Sequence, residues 1–248
     1  MSATVEKALQ LIEALARSNG PIGVSQLGRD LKLNKSTVYR LVDTLVRHGY
    51  ARQDPDTGRY ALSVKLWEMG VGVVRGLELR QAVRPVLEVE AEASGETTLL
   101  GIVDGREALI IDKVDSRQPL QIFSPLGARV ALCNSSLGRA LLAFQPPAFV
   151  AEMIAGFAPI TPHGIQTPEE LATELAKVRQ RGGATSADEW QVGISGVAAP
   201  IQGQGGAVLG ALCITGPTSR LVPERIAELS ERCIRAVRQV SELLERRG

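Results

Sequence analysis

Residues 35–47 constrain this chain more tightly than any other stretch. Val38, Leu41, Val42, Leu45 and Val46 recur at i, i+3, i+4, i+7 and i+8, which is a single apolar stripe of an α-helix. The other side carries Lys35, Ser36, Tyr39, Arg40, Thr44 and Arg47 against one acid, Asp43. Asn34 stands where an N-cap accepts a backbone N–H, and Gly49 where a left-handed exit is needed. Such a helix must lay its stripe on a small core and offer a basic, hydroxyl-rich face to water or to a partner.

The flanking sequence selects the partner. Upstream, Val5, Ala8, Leu9, Ile12, Leu15 and Ala16 repeat at helical spacing until Gly20-Pro21 stops them. Ser25 is expected to cap a short second helix over 26–31 with Leu27 and Leu31 inward. Downstream, Tyr50-Ala51-Arg52 and Arg59-Tyr60-Ala61-Leu62 read as strands around a turn at 54–58. Three helices and a hairpin predict a winged helix-turn-helix. In that arrangement the N-terminal part of 35–47 meets base edges in the major groove. Arg40 can pair bidentately with guanine, while Ser36, Thr37 and Tyr39 reach bases or phosphates. Lys35, Arg47, Arg52 and Arg59 are candidate sequence-blind phosphate contacts. The plainer alternatives are Tyr39 packed on a neighbouring helix and Arg47 paired with Asp43 at i, i+4. Charge agrees with a nucleic-acid partner at this end: residues 1–65 carry ten Lys and Arg against six Asp and Glu, or +4, so the rest of a +1 chain is −3.

Other function classes find little in the sequence. No apolar run reaches membrane length and no leader pattern opens the chain, so a cytoplasmic protein with no membrane partner is expected. Cys133, Cys213 and Cys233 are an odd number without a close pair, and His48 and His163 are the only histidines. A disulfide framework, a metal site and a cofactor are therefore not expected. Gly193-Ile194-Ser195-Gly196 approaches a nucleophile elbow, but Val197 replaces its second glycine. Gly203-Gln204-Gly205-Gly206 lacks the Lys-Ser/Thr of a phosphate loop. The chain is thus not read as an enzyme; a ligand-processing hydrolase and a cysteine-based redox or metal sensor are the alternatives.

Beyond the hairpin, Ser63 is placed to cap a connecting helix through Leu66, Trp67, Met69, Val73 and Val74 towards Leu77, weakened by Gly70, Gly72 and Gly76. A helix over 79–94 should turn Val83, Val86, Leu87 and Val89 inward, with Pro85 interrupting or starting it. Strands are expected over 97–103, 108–111, 120–123, 185–186, 196–201 and 207–215, and helices over 137–144 and 168–181. A closing helix over 223–246 carries Ile226, Leu229, Cys233, Val237, Val240 and Leu244 on one face. The fold class is α+β. Its divisions are a winged helix-turn-helix at 1–65, a linker helix at 66–78, and a sensor-like domain of antiparallel sheet and helices at 79–248.

Leu33-Asn34-Lys35-Ser36-Thr37-Val38-Tyr39-Arg40-Leu41, His48-Gly49-Tyr50 and Thr57-Gly58-Arg59-Tyr60-Ala61-Leu62 resemble the DNA-binding domain of the IclR family of bacterial transcriptional regulators. Gly95-Glu96-Thr97-Thr98-Leu99, Ser136-Leu137-Gly138-Arg139-Ala140-Leu141-Leu142-Ala143, Gly196-Val197-Ala198-Ala199-Pro200-Ile201 and Ile214-Thr215-Gly216-Pro217 resemble its effector-binding domain. Lys32 departs from the pattern, standing where the family often has a turn glycine. The resemblance implies a GAF/PAS-like second domain and a homodimer built by the first and linker helices, assembling further as a dimer of dimers. It also implies a double-stranded operator with two half-sites, and a repressor of a catabolic operon. The implied effector is a small organic molecule, a carboxylate or aromatic acid. Its site would be formed by Gly127, Cys133, Asn134, Ser135, Ser136 and Leu137, facing Ser186, Gly196, Cys213 and Thr215. Helix N–H groups and the Ser135, Ser136 and Thr215 hydroxyls suit an anion. An acid near Ser186 and a cysteine near Gly196, which mark members that bind small keto acids, are absent here. A larger or less polar ligand is therefore expected.

Overall fold

The computed structural model describes residues 2–75 and 78–245. Its contacts divide the chain into two compact units, the division falling after residue 76.

The first unit comprises α1 (Ala3–Arg17), α2 (Val24–Asp30), α3 (Lys35–Arg47), β1 (Ala51–Gln53), β2 (Tyr60–Leu62) and α4 (Val64–Arg75). Val38, Val42 and Leu45 of α3 enter a core with Leu11, Leu15, Leu27, Ala51 and Tyr60, while Leu41 and Val46 flank it. The stripe of α1 is not the one its spacing suggests. Leu11 and Leu15 are buried, whereas Val5 and Leu9 are exposed. The helix carries two overlapping apolar stripes, and only the one offered by Leu11 and Leu15 meets the other helices. Ser25 does not cap α2: that helix begins at Val24, and the N–H groups of Gln26 and Leu27 both donate to the Gly23 carbonyl. The cap is a backbone turn at glycine, so Ser25 lies inside the first turn.

Helices α2 and α3 end in the same way. Leu33 N–H donates to Gly28 O and Lys32 N–H to Arg29 O; Tyr50 N–H donates to Leu45 O and Gly49 N–H to Val46 O. Each is the paired bonding of a helix exit through one left-handed residue. At α3 that residue is Gly49, with φ of 76°; at α2 it is Lys32, with φ of 54°. The departure seen at Lys32 thus leaves the turn's geometry in place, held by a residue that pays for it in strain. Strands β1 and β2 pair antiparallel, Ala51 opposite Leu62, and Ile22 bridges Tyr60. Ser63 Oγ accepts from Lys65 N–H at the start of α4. Val64, Trp67 and Met69 of that helix are exposed. Gly76, Leu77 and Arg246 lie outside the described residues, as do the side chains of Gly72, Val73 and Val74.

The second unit runs α5 (Glu78–Ser94), β3 (Thr97–Asp104), β4 (Glu107–Val114), β5 (Arg129–Ala131), α6 (Ser136–Leu142), α7 (Pro147–Ala155), α8 (Pro168–Arg181), β6 (Ala184–Ala187), β7 (Ile194–Gln202), β8 (Val208–Pro217) and α9 (Pro223–Glu245). The strands form one sheet in the order β5-β4-β3-β8-β7-β6, with antiparallel neighbours. Alternation sends Leu100, Val197, Leu212 and Ile214 to a core with α5 and α9. It sends Leu99, Ala198 and Cys213 to a second core with α6, α7 and α8.

Three expectations fail here for identifiable reasons. Residues 120–123 form no strand, and Phe123 is 87% exposed. The edge of β4 pairs instead with 129–131, after Gly127 turns the chain with φ of 80°. Val89 is exposed because Leu79, Val83 and Leu87 already fill the buried stripe of α5. Pro85 lies within that helix, on its outer side, and does not end it. Helix α7 was not foreseen; Pro147 stands in its first turn, where the missing N–H is no loss.

Candidate nucleic-acid interface and ligand cluster

On α3 the cap and the outward face are one construction. Asn34 Oδ1 accepts from Thr37 N–H at 2.8 Å and from the Ser36 hydroxyl at 3.0 Å. Ser36 is exposed and Thr37 half-buried, so the first turn is fixed while Ser36 still faces outward. Tyr39 is 56% exposed, which removes the packing alternative. Arg47 does pair with Asp43, at 2.8 Å. Lys35, Arg40, Arg52 and Arg59 are exposed, with no ion-pair partner among the described residues. The wing that carries Arg52 and Arg59 turns on Asp54, whose carboxylate accepts from the N–H and hydroxyl of Thr57 and from Asp56 N–H. Those donors hold its pKa below the ordinary carboxylate range. Lys65 fastens the hairpin's root, donating to His48 O at 2.8 Å and lying over the Tyr50 ring.

In the second unit, five of the ten candidate ligand residues converge. Ser136 N–H donates to Ser186 Oγ at 3.1 Å, and Ser136 Oγ lies 3.9 Å from Cys213 Sγ. A Cβ on Gly196 would come within 3.0 Å of Ser136 Oγ and 3.4 Å of Thr215 Cβ. Register explains the meeting: Ser186, Gly196 and Thr215 are successive cross-strand partners. The other five serve nearby structure. Ser135 Oγ caps α6 by accepting from Gly138 N–H, and it donates to Ala131 O. Asn134 donates to Ala158 O, and Cys133 to Met153 O. Leu137 packs on Gly101, where a Cβ would meet it at 2.9 Å. Gly127 is exposed at the turn before β5. Thr215 donates its hydroxyl to Ser195 O. The polar groups of the cluster are therefore bonded to one another or to the neighbouring backbone in this conformation. A cleft of about 590 Å³, walled by Arg139, His163, Glu169, Lys177, Thr185 and Glu189 among others, adjoins the cluster at Thr185 but does not include it.

A buried charge beside this cluster was not foreseen. Arg139 is 1% exposed and forms a two-pronged pair with Glu189, at 2.7 and 2.9 Å. It also donates to Cys133 O and Thr185 O. Asp188, with φ of 59°, turns the chain so that Glu189 faces Arg139. Its carboxylate accepts from the Thr218 hydroxyl and Gly193 N–H, which lower its pKa. Fifty residues separate the partners, and no local pattern links them.

Two alternative chemistries fit poorly. Ser195 is buried in β7, its hydroxyl within 2.9 Å of that of Thr218, so it is not a nucleophile raised on a turn. Burial pushes the Cys133 thiol up to about 11 and that of Cys213 to about 12, and Cys233 is likewise raised. All three stay protonated at neutral pH and offer no thiolate to an oxidant or metal. Among the described residues, no group of His, Cys, Asp and Glu could hold a metal ion, and no helix is long and apolar enough to cross a membrane.

Comparison with known proteins covers both units. The family described as "Bacterial transcriptional regulator IclR C-terminal" matches residues 71–242, and "IclR helix-turn-helix domain" matches 4–55. The transcriptional repressor IclR of Escherichia coli is 28% identical over 96% of this chain and 88% of its own. The crystal structure of the Thermotoga maritima IclR is 30% identical, with a TM-score of 0.82 over 97% of this chain and 98% of that one. The fold is shared, at 23% identity and a TM-score of 0.84, by an IclR homologue from Microbacterium hydrocarbonoxydans complexed with 4-hydroxybenzoate, over 97% and 100% of the two chains.

Proposed function

The chain belongs to the IclR family of bacterial transcriptional regulators, and from that premise we propose that it is a cytoplasmic homodimeric repressor of a catabolic operon, released or tightened by a small organic acid. The observation that carries the reading is Arg40: exposed, in the second turn of a capped helix, and free of any ion-pair partner among the described residues. Lys35, Ser36, Thr37, Tyr39 and Arg47 on α3, with Arg52 and Arg59 on the wing, complete the DNA-contacting set. The exposed Val5 and Leu9 on α1, and Val64, Trp67 and Met69 on α4, support a dimer that covers them. Residues 1–65 then form the DNA-binding domain, 66–78 the linker helix and 79–248 the effector domain, which also joins dimers into tetramers.

Ser136, Ser186, Gly196, Cys213 and Thr215 are the proposed floor of the effector site, with Gly127, Cys133, Asn134, Ser135 and Leu137 around it. The 4-hydroxybenzoate bound by the Microbacterium homologue supports an aromatic or otherwise larger acid; the absence of an acid near Ser186 does not, since Asp188 and Glu189 follow it within three residues. Since the ligand must displace bonds such as Ser136–Ser186, it selects a conformation of the domain, and by reciprocity it changes operator affinity. No enzymatic step is proposed. Footprinting of the full-length protein on its own upstream region, with and without candidate acids, tests the whole reading. Protection of paired half-sites that shifts with one acid is the expected result; equal binding to random duplex would overturn it.

A further inference from the structure

We infer that Lys65 is a positioning residue for DNA recognition: it sets the angle between α3 and α4, and with it the half-site spacing that the homodimer accepts. The inference rests on the operator-binding dimer proposed above and names the side chain that fixes its geometry.

Helix α4 leaves the DNA-binding fold as an arm. None of its described residues enters the core shared by α1, α2, α3 and the wing, and Val64, Trp67 and Met69 are exposed. What holds the arm is its start. Three successive carbonyls at the exit of α3 accept from Ser63 and Lys65: Tyr50 O from Ser63 N–H at 3.0 Å, Gly49 O from the Ser63 hydroxyl, and His48 O from the Lys65 ammonium at 2.8 Å. Lys65 Nζ also lies 4.4 Å from the centre of the Tyr50 ring. Among the described residues, no other side-chain hydrogen bond or ion pair ties α4 to the rest of the unit.

Of these ties only that of Lys65 reaches out from the helix itself. Ser63 precedes α4, and its N–H bond to Tyr50 O extends the hairpin ladder by one step past the pairing of Ala51 with Leu62. It fixes a point about which the helix can swing. Half-buried Lys65, in the first turn, adds a second point, and two points fix a direction. The bond is a favourable one: the His48 carbonyl stands at the negative end of α3, where a cation is stabilised, and the face of the Tyr50 ring attracts it further. At about 1.5 Å per residue the twelve residues of α4 span roughly 18 Å, so a swing of about 10° at the joint shifts the far end by about 3 Å. That is close to the ~3.4 Å rise of one base-pair step. In a dimer paired through α4, such a swing takes one recognition helix out of register with its half-site.

The test uses the full-length protein and fluorescence anisotropy on the footprinted operator, on the same operator with one base pair inserted between its half-sites, and on a single half-site. Wild type is expected to bind the native spacing about tenfold more tightly than the altered one. Lys65→Met keeps the stem and removes the charge; it should cut that preference to about threefold or less while binding the single half-site as wild type does. Lys65→Arg can bond the same carbonyl and lie over the same ring, and should restore most of the preference. If Lys65→Met keeps the full preference, the assignment fails and the dimer stands. Weakening of all three duplexes alike also overturns it: with the salt slope lowered by about one, Lys65 is a phosphate contact, and with the slope unchanged it merely holds the fold. If wild type protects no paired half-sites, the dimer reading fails and the assignment with it.

Discussion

In the first unit Arg40 stands in water without an ion partner among the described residues, whereas in the second Arg139 is sealed against Glu189 and two carbonyls. The contrast extends beyond these two side chains. On α3 and the wing, Lys35, Arg52 and Arg59 are exposed, and their charge costs the fold nothing. Within the second unit, Asp112 is buried against Arg80 and Arg84, Glu96 against Arg220, and Glu90 against Arg232. A charge left in water is available to a charged partner; a charge taken out of water must be matched within the fold. Substitutions in the two units should therefore separate into losses of binding and losses of stability.

The largest effect is expected where that separation is sharpest. Glu189→Ala strands a fully buried guanidinium, and breaking such a pair costs about 3–5 kcal/mol. Urea unfolding should show the second unit's transition lowered by that amount and the first unit's unmoved. A loss under about 1 kcal/mol would mean that water reaches Arg139 and that the contrast between the units is overstated. Arg40→Ala should do the reverse. Its melting curve should match wild type while operator affinity falls by ~1–3 kcal/mol and specificity relaxes at one base pair. Unchanged footprints would remove α3 from the major groove.

The same difference decides what could be read from the residues alone. The α3 stripe, the Asn34 cap, the Gly49 exit and the two wing strands were all legible, because each depends on neighbours within a few positions. Helix α8 was legible over 168–181 for the same reason; its caps, Thr167 and Gly182, emerge only in the structure. The ligand cluster was half legible. Strand register brings Ser186, Gly196 and Thr215 together, but whether a serine caps a helix or faces a ligand depends on packing that no spacing records. The Arg139–Glu189 pair was invisible, since neither residue's neighbours announce the other. The strand placed at 120–123 failed because alternation describes a segment's faces and not whether an edge is free to receive it.

Lys35→Ala sharpens the comparison within the exposed unit itself. A lysine that meets only phosphate should, when removed, weaken every duplex alike, by about 1 kcal/mol at moderate salt, and lower the salt slope by about one. Gel-shift titrations at several salt concentrations check both. Arg47→Ala should lower the slope less, because Asp43 already neutralises part of its charge. Equal slopes for the two variants would show that the Asp43 pair opens on DNA.

The smallest effect expected is a gain. Lys32 closes α2 in the left-handed region, at φ of 54°, where a side chain costs roughly 1–2 kcal/mol and glycine nothing. Glycine forfeits part of that gain through the freer unfolded chain. Lys32→Gly should therefore stabilise the first unit by a few tenths to about 1 kcal/mol, read from its urea transition. Lys32→Ala keeps the strain while removing the same charge, so it should leave stability near wild type and isolate any electrostatic contribution to DNA affinity. If glycine destabilises and alanine does not, the turn is not strained at this position. The loss with glycine would then come wholly from its freer unfolded chain, and the exit of α2 would cost a lysine nothing.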